Sequence, residues 1–241
     1  MIDMILEKIN LQTKSSKDFN LAMSSELDFL DFILNTAQEA TNKEVDLLQQ
    51  AKKLFDTNQS RVYDFSDELS KIKDIAGSRF HDVNELSLIL DNFLNSKHKS
   101  KDGFLGFIKS EFDMFLKEFT EICNISESTV QSLDYLFNFL INTSSFARTI
   151  QSKSEKRYMR MSEIVKIFIQ ENPKEDTTIL LMKLRELRSH NSVVNSVSKS
   201  IMSSAKTTFG IARSAHNIFS EINAISMSVS SSINRYTRIF V

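Results

Sequence analysis

The sequence is poor in the residues that interrupt helices. Among 241 residues there are four Gly and one Pro, far below the usual ~7% and ~5%. Turns depend on these residues, so few breaks are available and long helices are expected. No segment alternates with a period of two for long enough to make a strand. We therefore predict an all-α protein.

Cysteine and catalytic motifs are equally scarce. The single cysteine, Cys123, excludes an internal disulfide and gives no pair of thiolates for a metal, and its neighbours Ile122 and Ile125 favour a buried small hydrophobe over a reactive thiol. The four His have no metal-binding spacing, and no glycine-rich phosphate loop is present. We expect a non-enzymatic protein with no cofactor and no metal.

Targeting signals are also missing. The N-terminus, MIDMILEKIN, has acids where a signal peptide carries bases. No window reaches ~18 uninterrupted apolar residues. We expect a cytoplasmic protein, with secretion by a signal-free route as the open alternative.

Heptad spacing is the strongest positive signal. A stripe that recurs every 3.5 residues runs from Val194 to Ile239, which is typical of a helix with one packed face. We predict that its apolar members form an interaction seam. They are Val194, Val197, Ile201, Ile211, Ile218, Ile222, Ile225, Val229 and Ile239. If Val194 is position a of a seven-residue repeat labelled a to g, Ile occupies several d positions. Ile at position d disfavours a two-stranded coil and favours three or four helices.

A second stripe of the same spacing runs from Leu27 to Ala76. Its polar members Glu44 and Asn58 either fix the register of the packing or mark where the stripe drifts out of the interface. Gly77 follows where a helix-ending glycine belongs. We predict two long terminal helices, 18–77 and 173–241, each roughly 70–75 Å long at ~1.5 Å per residue. Side by side they form one elongated helical bundle or coiled coil.

The region between them, 78–172, is predicted to be a Phe-rich middle of shorter helices. Asp82, Ser126 and Ser154 are placed as N-caps, and Asn172-Pro173 as the start of the last helix. One helix face is marked by a Phe stripe, which consists of Phe104, Phe107, Ile108, Phe112, Phe115, Phe119 and Ile122. This stripe is core packing or, alternatively, a membrane-inserting element of a pore-forming protein. Gly210, inside the last stripe, indicates close backbone approach or a soft point, since Gly costs ~1 kcal/mol relative to Ala.

Charge is distributed unevenly. The net charge of −1 gives no overall field for nucleic acid, but residues 1–96 carry 17 acids and 10 bases, a net −7, and residues 97–241 carry 14 acids and 20 bases, a net +6. This split favours contact between halves or between subunits; two ordinary solvated surfaces are the alternative.

A basic patch lies within 148–166. Its members are Arg148, Lys153, Lys156, Arg157, Arg160 and Lys166. The patch is a solvated helix face, a protein contact or a peripheral contact with anionic lipid. Readers of single-stranded nucleic acid stack bases on several aromatics. Because only Tyr158 lies among these bases, we expect no nucleic acid.

Two short patterns resemble known families. Thr36-Ala-Gln38-Glu39-Ala40-Thr41, with the segment Ile218–Ile233, resembles the adaptation region and the returning helix of the cytoplasmic hairpin of bacterial chemoreceptors. The receptors' kinase-binding tip has no counterpart here. Asp46 and Gln50 are similar to the Asp-x-x-x-Gln element of helical phosphatases that act on response regulators, which implies an acyl-phosphate phosphatase as an alternative.

The sequence as a whole predicts a helical bundle that works by protein–protein contact. We expect a self-associating homo-oligomer that serves as a bacterial signalling or scaffold component.

Overall fold

The structure, a computed structural model, describes residues 26–96, 102–236 and 240. These residues form three long helices, α1 (Glu26–Asn95), α2 (Asp102–Glu171) and α3 (Thr178–Tyr236), and no strand among them is present. The all-α prediction is confirmed. The predicted helix start at residue 18 and Ile239 lie outside the described residues.

Several predicted helix ends are wrong because the helices are longer than expected. α1 continues through Gly77 to Asn95, and Asp82 is interior. The middle region is one helix rather than several, so Ser126 and Ser154 are interior to α2. The Ser126 hydroxyl donates to the Ile122 carbonyl at 2.8 Å, which satisfies the serine without a helix end.

The break before α3 was predicted correctly but placed too early. α3 begins at Thr178 rather than at Pro173. The backbone N–H of Thr178 donates to Asp176 Oδ1 at 3.0 Å, and this bond satisfies one of the free N–H groups of the first turn. Hydrogen bonds from the side chain of Thr178 and from its backbone N–H hold the pKa of Asp176 below its usual value.

Every seventh side chain is buried from Leu34 onward in α1, from Phe112 onward in α2 and from Leu180 onward in α3. We call this position a, and name the other positions b to g in the heptad convention. None of these side chains is more than 7% exposed. In α1 they are Leu34, Thr41, Leu48, Phe55, Val62, Leu69, Ala76, Val83 and Leu90. In α2 they are Phe112, Phe119, Ser126, Leu133, Leu140, Ala147, Ser154, Met161 and Phe168. In α3 they are Leu180, Leu187, Val194, Ile201, Thr208, Ala215, Ile222, Val229 and Tyr236.

The chain divides into two compact units. Unit 1 comprises Met1–Phe55 and Asn142–Ser204, and unit 2 comprises Asp56–Ile141 and Ala205–Val241. Each unit therefore contains a segment of all three helices. The region 78–172, predicted as a Phe-rich middle of shorter helices, is shared between the two units.

The core of unit 1 joins the three helices near the start of α1. Leu34 and Ala37 of α1 pack with Val165 of α2 and with Leu180 and Leu187 of α3. Burial of each of the Leu and Val side chains contributes about 1.5–3 kcal/mol. These contacts bring the first stripe of the sequence against the first turns of α3 within this unit.

The core of unit 2 contains much of the Phe stripe. Phe112 and Phe119 pack with Val83 of α1 and with Val229 and Tyr236 of α3. The rings of Phe112 and Tyr236 stack with centroids 5.8 Å apart. These Phe side chains are therefore core packing, as the first of the two interpretations predicted.

Polar contacts identify which flank of each helix faces which neighbour. In unit 2, Gln59 Nε2 donates to Thr208 Oγ1 at 2.8 Å, so the e flank of α1 faces α3. Arg79 Nε lies 3.2 Å from Glu118 Oε2, so the d and g flank of α1 faces the g flank of α2. In α2 and α3 the b flanks meet, where His216 Nε2 lies 2.8 Å from Asp134 Oδ1.

The burial of the C-terminal stripe leads to a first prediction. Ile222 has no exposed surface, whereas Met227, five residues away on the same helix, is 74% exposed. Ile222→Ala should lower the free energy of unfolding by about 2–5 kcal/mol, because it leaves a cavity in the core. Met227→Ala should change it by less than about 0.5 kcal/mol. Urea unfolding followed by circular dichroism measures both, and equal effects would contradict the assignment.

Gly210 gives a second prediction. A Cβ built at Gly210 meets no atom within 4 Å, and no described glycine has a positive φ, so close backbone approach does not explain this residue. Gly210→Ala should stabilise the protein by about 0.5–1 kcal/mol. Gly77→Ala, which is equally open, is the matched variant. A lower unfolding midpoint in either variant would refute this account.

Candidate functional site

A polar layer crosses the otherwise apolar interior of unit 1. Arg157 Nη1 donates to Glu44 Oε2 at 2.7 Å, and Nη2 donates to Glu44 Oε1 at 2.9 Å. The side chains of Arg157 and Glu44 are only 8% and 13% exposed. Such a bidentate pair has fixed geometry as well as charge.

Thr41 extends this pair. Arg157 Nη1 also donates to Thr41 Oγ1 at 2.9 Å, while the Thr41 hydroxyl donates to the Ala37 carbonyl at 2.8 Å. The hydroxyl thus accepts from the guanidinium and donates to the backbone, so both of its roles are used. Arg157 Nε is buried and has no acceptor among the described residues.

The third helix joins the layer through Asn191. Ser154 Oγ of α2 donates to Asn191 Oδ1 of α3 at 2.8 Å, and both side chains are buried. Charges and amides inside a protein are costly unless paired. The layer therefore favours one arrangement of the three helices, because only that arrangement pairs these groups.

Arg157 was wrongly placed in the predicted basic patch. It occupies position d of α2, where its long side chain turns toward α1 and reaches Glu44. The remaining members, Arg148, Lys153, Lys156, Arg160 and Lys166, are exposed. The sequence signal for this difference is the heptad row through Ala147, Ser154 and Met161, which puts residue 157 on the packed side.

Glu44 resolves the two interpretations of the polar members of the first stripe. It stays in the interface, bonded to Arg157, rather than marking a point where the stripe drifts to solvent. Asn58 is half-buried.

The predicted interaction seam lies inside the chain. Val194, Ile201, Ile222 and Val229 are at most 1% exposed. Its described d-position members are half-buried: Val197, Ile211, Ile218 and Ile225. The stripe therefore packs on α1 and α2, and a partner cannot bind its a positions unless the helices separate. The predicted stripe is therefore a seam between helices of the same chain.

Other sequence candidates lie apart from the polar layer. Asp46 and Gln50 are both exposed on α1. Gln38, in the segment that resembles chemoreceptor adaptation sites, donates to the Lys183 carbonyl at 2.8 Å and to Glu186 Oε2 at 3.0 Å, whereas Glu39 is exposed. Cys123, expected to be buried, is half-buried.

Exposed apolar side chains concentrate on one flank of the helices. Of the twenty large hydrophobics exposed among the described residues, seven occupy position g of α1 or α2, on the flanks where these two helices meet. On the α1–α3 flank, position b of α1 and position g of α3 together carry three, and on the α2–α3 flank the b positions carry three. The seven are Leu47, Leu54, Ile75, Ile89, Ile125, Phe146 and Ile167. Sequence reasoning missed this row, although it lies one residue before each buried a position.

A recess lies on this flank in unit 2. It has a volume of about 590 Å³ and is lined by α1 and α2. Phe65 and Leu136 form its apolar part, the small Ser128 and Ser132 leave room in it, and Tyr135 is 76% exposed at its side. The recess can receive a large side chain from outside.

Two other properties of the described residues concern metal binding and membrane spanning. No group of three or more His, Cys, Asp and Glu side chains is placed to hold a metal ion. None of the helical segments covered by the structure is both long and apolar enough to cross a membrane.

Comparison with known proteins gives no family. No protein-family model matches the sequence, and no curated protein matches it. A computationally designed three-helix bundle is similar to this chain at 12% identity with a TM-score of 0.36, over 93% of this chain and 97% of that chain. At this identity and TM-score the similarity carries no argument about function.

The polar layer gives a third prediction. Arg157→Met alone leaves the Glu44 carboxylate buried without its partner, and it should cost about 3–5 kcal/mol of unfolding free energy. Glu44→Leu alone should cost a similar amount, because it leaves the Arg157 guanidinium unpaired. The double variant should be within about 1 kcal/mol of the wild type or more stable, since no charge is then left buried.

Urea unfolding of the four proteins forms a double-mutant cycle. Additive losses, with the double variant as unstable as the sum of the single ones, would show that the pair does not act as a unit.

Proposed function

We propose that this chain is a non-enzymatic helical scaffold that acts by protein–protein contact and associates with itself, as a component of bacterial signalling or of a larger assembly. The contact surfaces are the α1–α2 face of unit 1 and the α1–α2 face of unit 2, each defined by positions g and c of these two helices. The row of exposed apolar side chains at position g is the observation that carries this proposal.

Exposed apolar side chains in a row are unfavourable in water and mark contact sites. In unit 1 the row consists of Leu47, Leu54, Phe146 and Ile167, and in unit 2 of Ile75, Ile89 and Ile125. A helix laid into a groove is recognised through side chains with such heptad spacing. Each face therefore fits a helical partner surface.

Both α1–α2 faces remain accessible to a partner after folding, unlike the buried seam of α3. The seven side chains are 42–56% exposed, so about half of each is covered by its own unit. The remaining half is the surface that a partner would cover.

A fourth prediction tests this surface. Ile75→Gln combined with Ile125→Gln removes two apolar side chains from the face of unit 2 while keeping a good helix former in α1 and α2. Burial of one such side chain contributes about 1.5–3 kcal/mol when complete. The double variant should therefore dissociate at least tenfold more readily than the wild type in sedimentation equilibrium.

Met227→Gln is the matched control, since it removes an even more exposed apolar side chain from α3. It should leave association unchanged, and circular dichroism should show that all variants are equally helical. A wild type that stays monomeric at all concentrations would refute self-association.

A further inference from the structure

The two α1–α2 faces carry opposite charge. In unit 2, positions g and c hold seven acids and two bases. The acids are Asp64, Glu68, Asp82, Glu85, Glu111, Glu118 and Glu121. Arg61 and Lys71 are the bases. Arg79, at the neighbouring d position, pairs with Asp82 and Glu118, which leaves a net charge of −4.

The same positions in unit 1 are basic. They hold Lys43, Lys153, Lys156 and Arg160 against Glu26 and Glu163, a net charge of +2. All four bases are exposed. They lie in the same two stretches as the exposed Leu47 and Phe146, so charge and apolar surface coincide on this face.

We infer that the acidic α1–α2 face of unit 2 binds the basic α1–α2 face of unit 1 in a second copy of this chain. The inference rests on the proposed self-association and names the surfaces that meet. Complementary charge steers association and excludes the wrong pairing: two acidic faces or two basic faces repel each other. The apolar side chains on both faces supply the buried area.

The unit 2 face has room for such a partner. The recess between Phe65 and Leu136 opens on this face. Phe107 and Met114, at c positions of α2, are 57% and 42% exposed and extend the apolar surface beside the acids. An acidic, partly apolar surface of this kind fits a helix face that combines bases with apolar side chains.

Charge reversal on full-length chains tests the pairing. One variant carries Lys153→Glu, Lys156→Glu and Arg160→Glu, and a second carries Glu68→Lys, Glu111→Lys and Glu121→Lys. None of these six residues belongs to the polar layer or to the Arg79 pairs. Each variant alone should dissociate at least tenfold more readily than the wild type, because like charges then face each other.

An equimolar mixture of the two variants is the decisive measurement. The reversed faces are complementary to each other, so the mixture should associate when neither variant does alone. The control is Arg185→Glu, Arg188→Glu and Lys199→Glu, three exposed bases of α3 in unit 1. It changes the net charge by the same amount as the first variant and should not affect association. Raising the salt concentration should weaken the wild-type association at least tenfold, since exposed charges are screened.

The outcomes separate this inference from the proposed function. A wild type that associates but is insensitive to both reversals, or a mixture that stays monomeric, overturns the pairing of faces and leaves self-association standing. A wild type that never associates overturns both.

Discussion

The burial of one side chain in seven is the constraint on which the rest of the structure depends. A straight helix slips by ~20° per heptad relative to an exact seven-residue repeat, which amounts to roughly 160° over eight heptads. No such slip appears in the burial of the three helices. Leu34 and Leu90 are both at most 1% exposed, as are Leu180 and Val229. Because position a is buried in each unit, positions g and b lie directly beside the buried row in each unit.

In a repeat this regular, apolar packing alone does not fix the register of one helix against another. The polar layer fixes it. Apolar side chains such as Leu48 and Leu69 are nearly equivalent, so a shift of one helix by seven residues would still bury apolar surface. The same shift would separate Glu44 from Arg157 and leave both charges in the interior. A misplaced buried charge costs several kcal/mol, whereas the correctly formed pair adds little net stability. The layer therefore acts chiefly against wrong arrangements, in the way that a polar residue at a core position fixes register in helical assemblies.

The sequence predicted the buried rows better than the helix ends. Both terminal stripes have the predicted phase, because apolar spacing reports directly which side of a helix is covered. The ends at Gly77, Ser126 and Ser154 were wrong for a common reason: capping residues are weak signals, and tertiary packing overrides a single glycine or serine inside a long packed helix. Arg157 was misread because composition describes a segment, while burial depends on the heptad position of each residue. Its partner Glu44, 113 residues away, could be paired with it only once α1 and α2 were placed side by side.

Positions g and c lie outside the buried row, so the fold does not dictate which residues occupy them. The residues found there therefore carry information about the surface that the core residues do not. Half-exposed Leu, Ile and Phe side chains at position g add little to folding compared with the a position beside them, and they reduce solubility. Their concentration on the α1–α2 flank, with bases in unit 1 and acids in unit 2, is not required by the burial of the a row. A solvated surface needs mixed charge and few apolar side chains. The composition of this flank departs from that rule in both units, and this departure is the physical reason for proposing the flank as a contact surface.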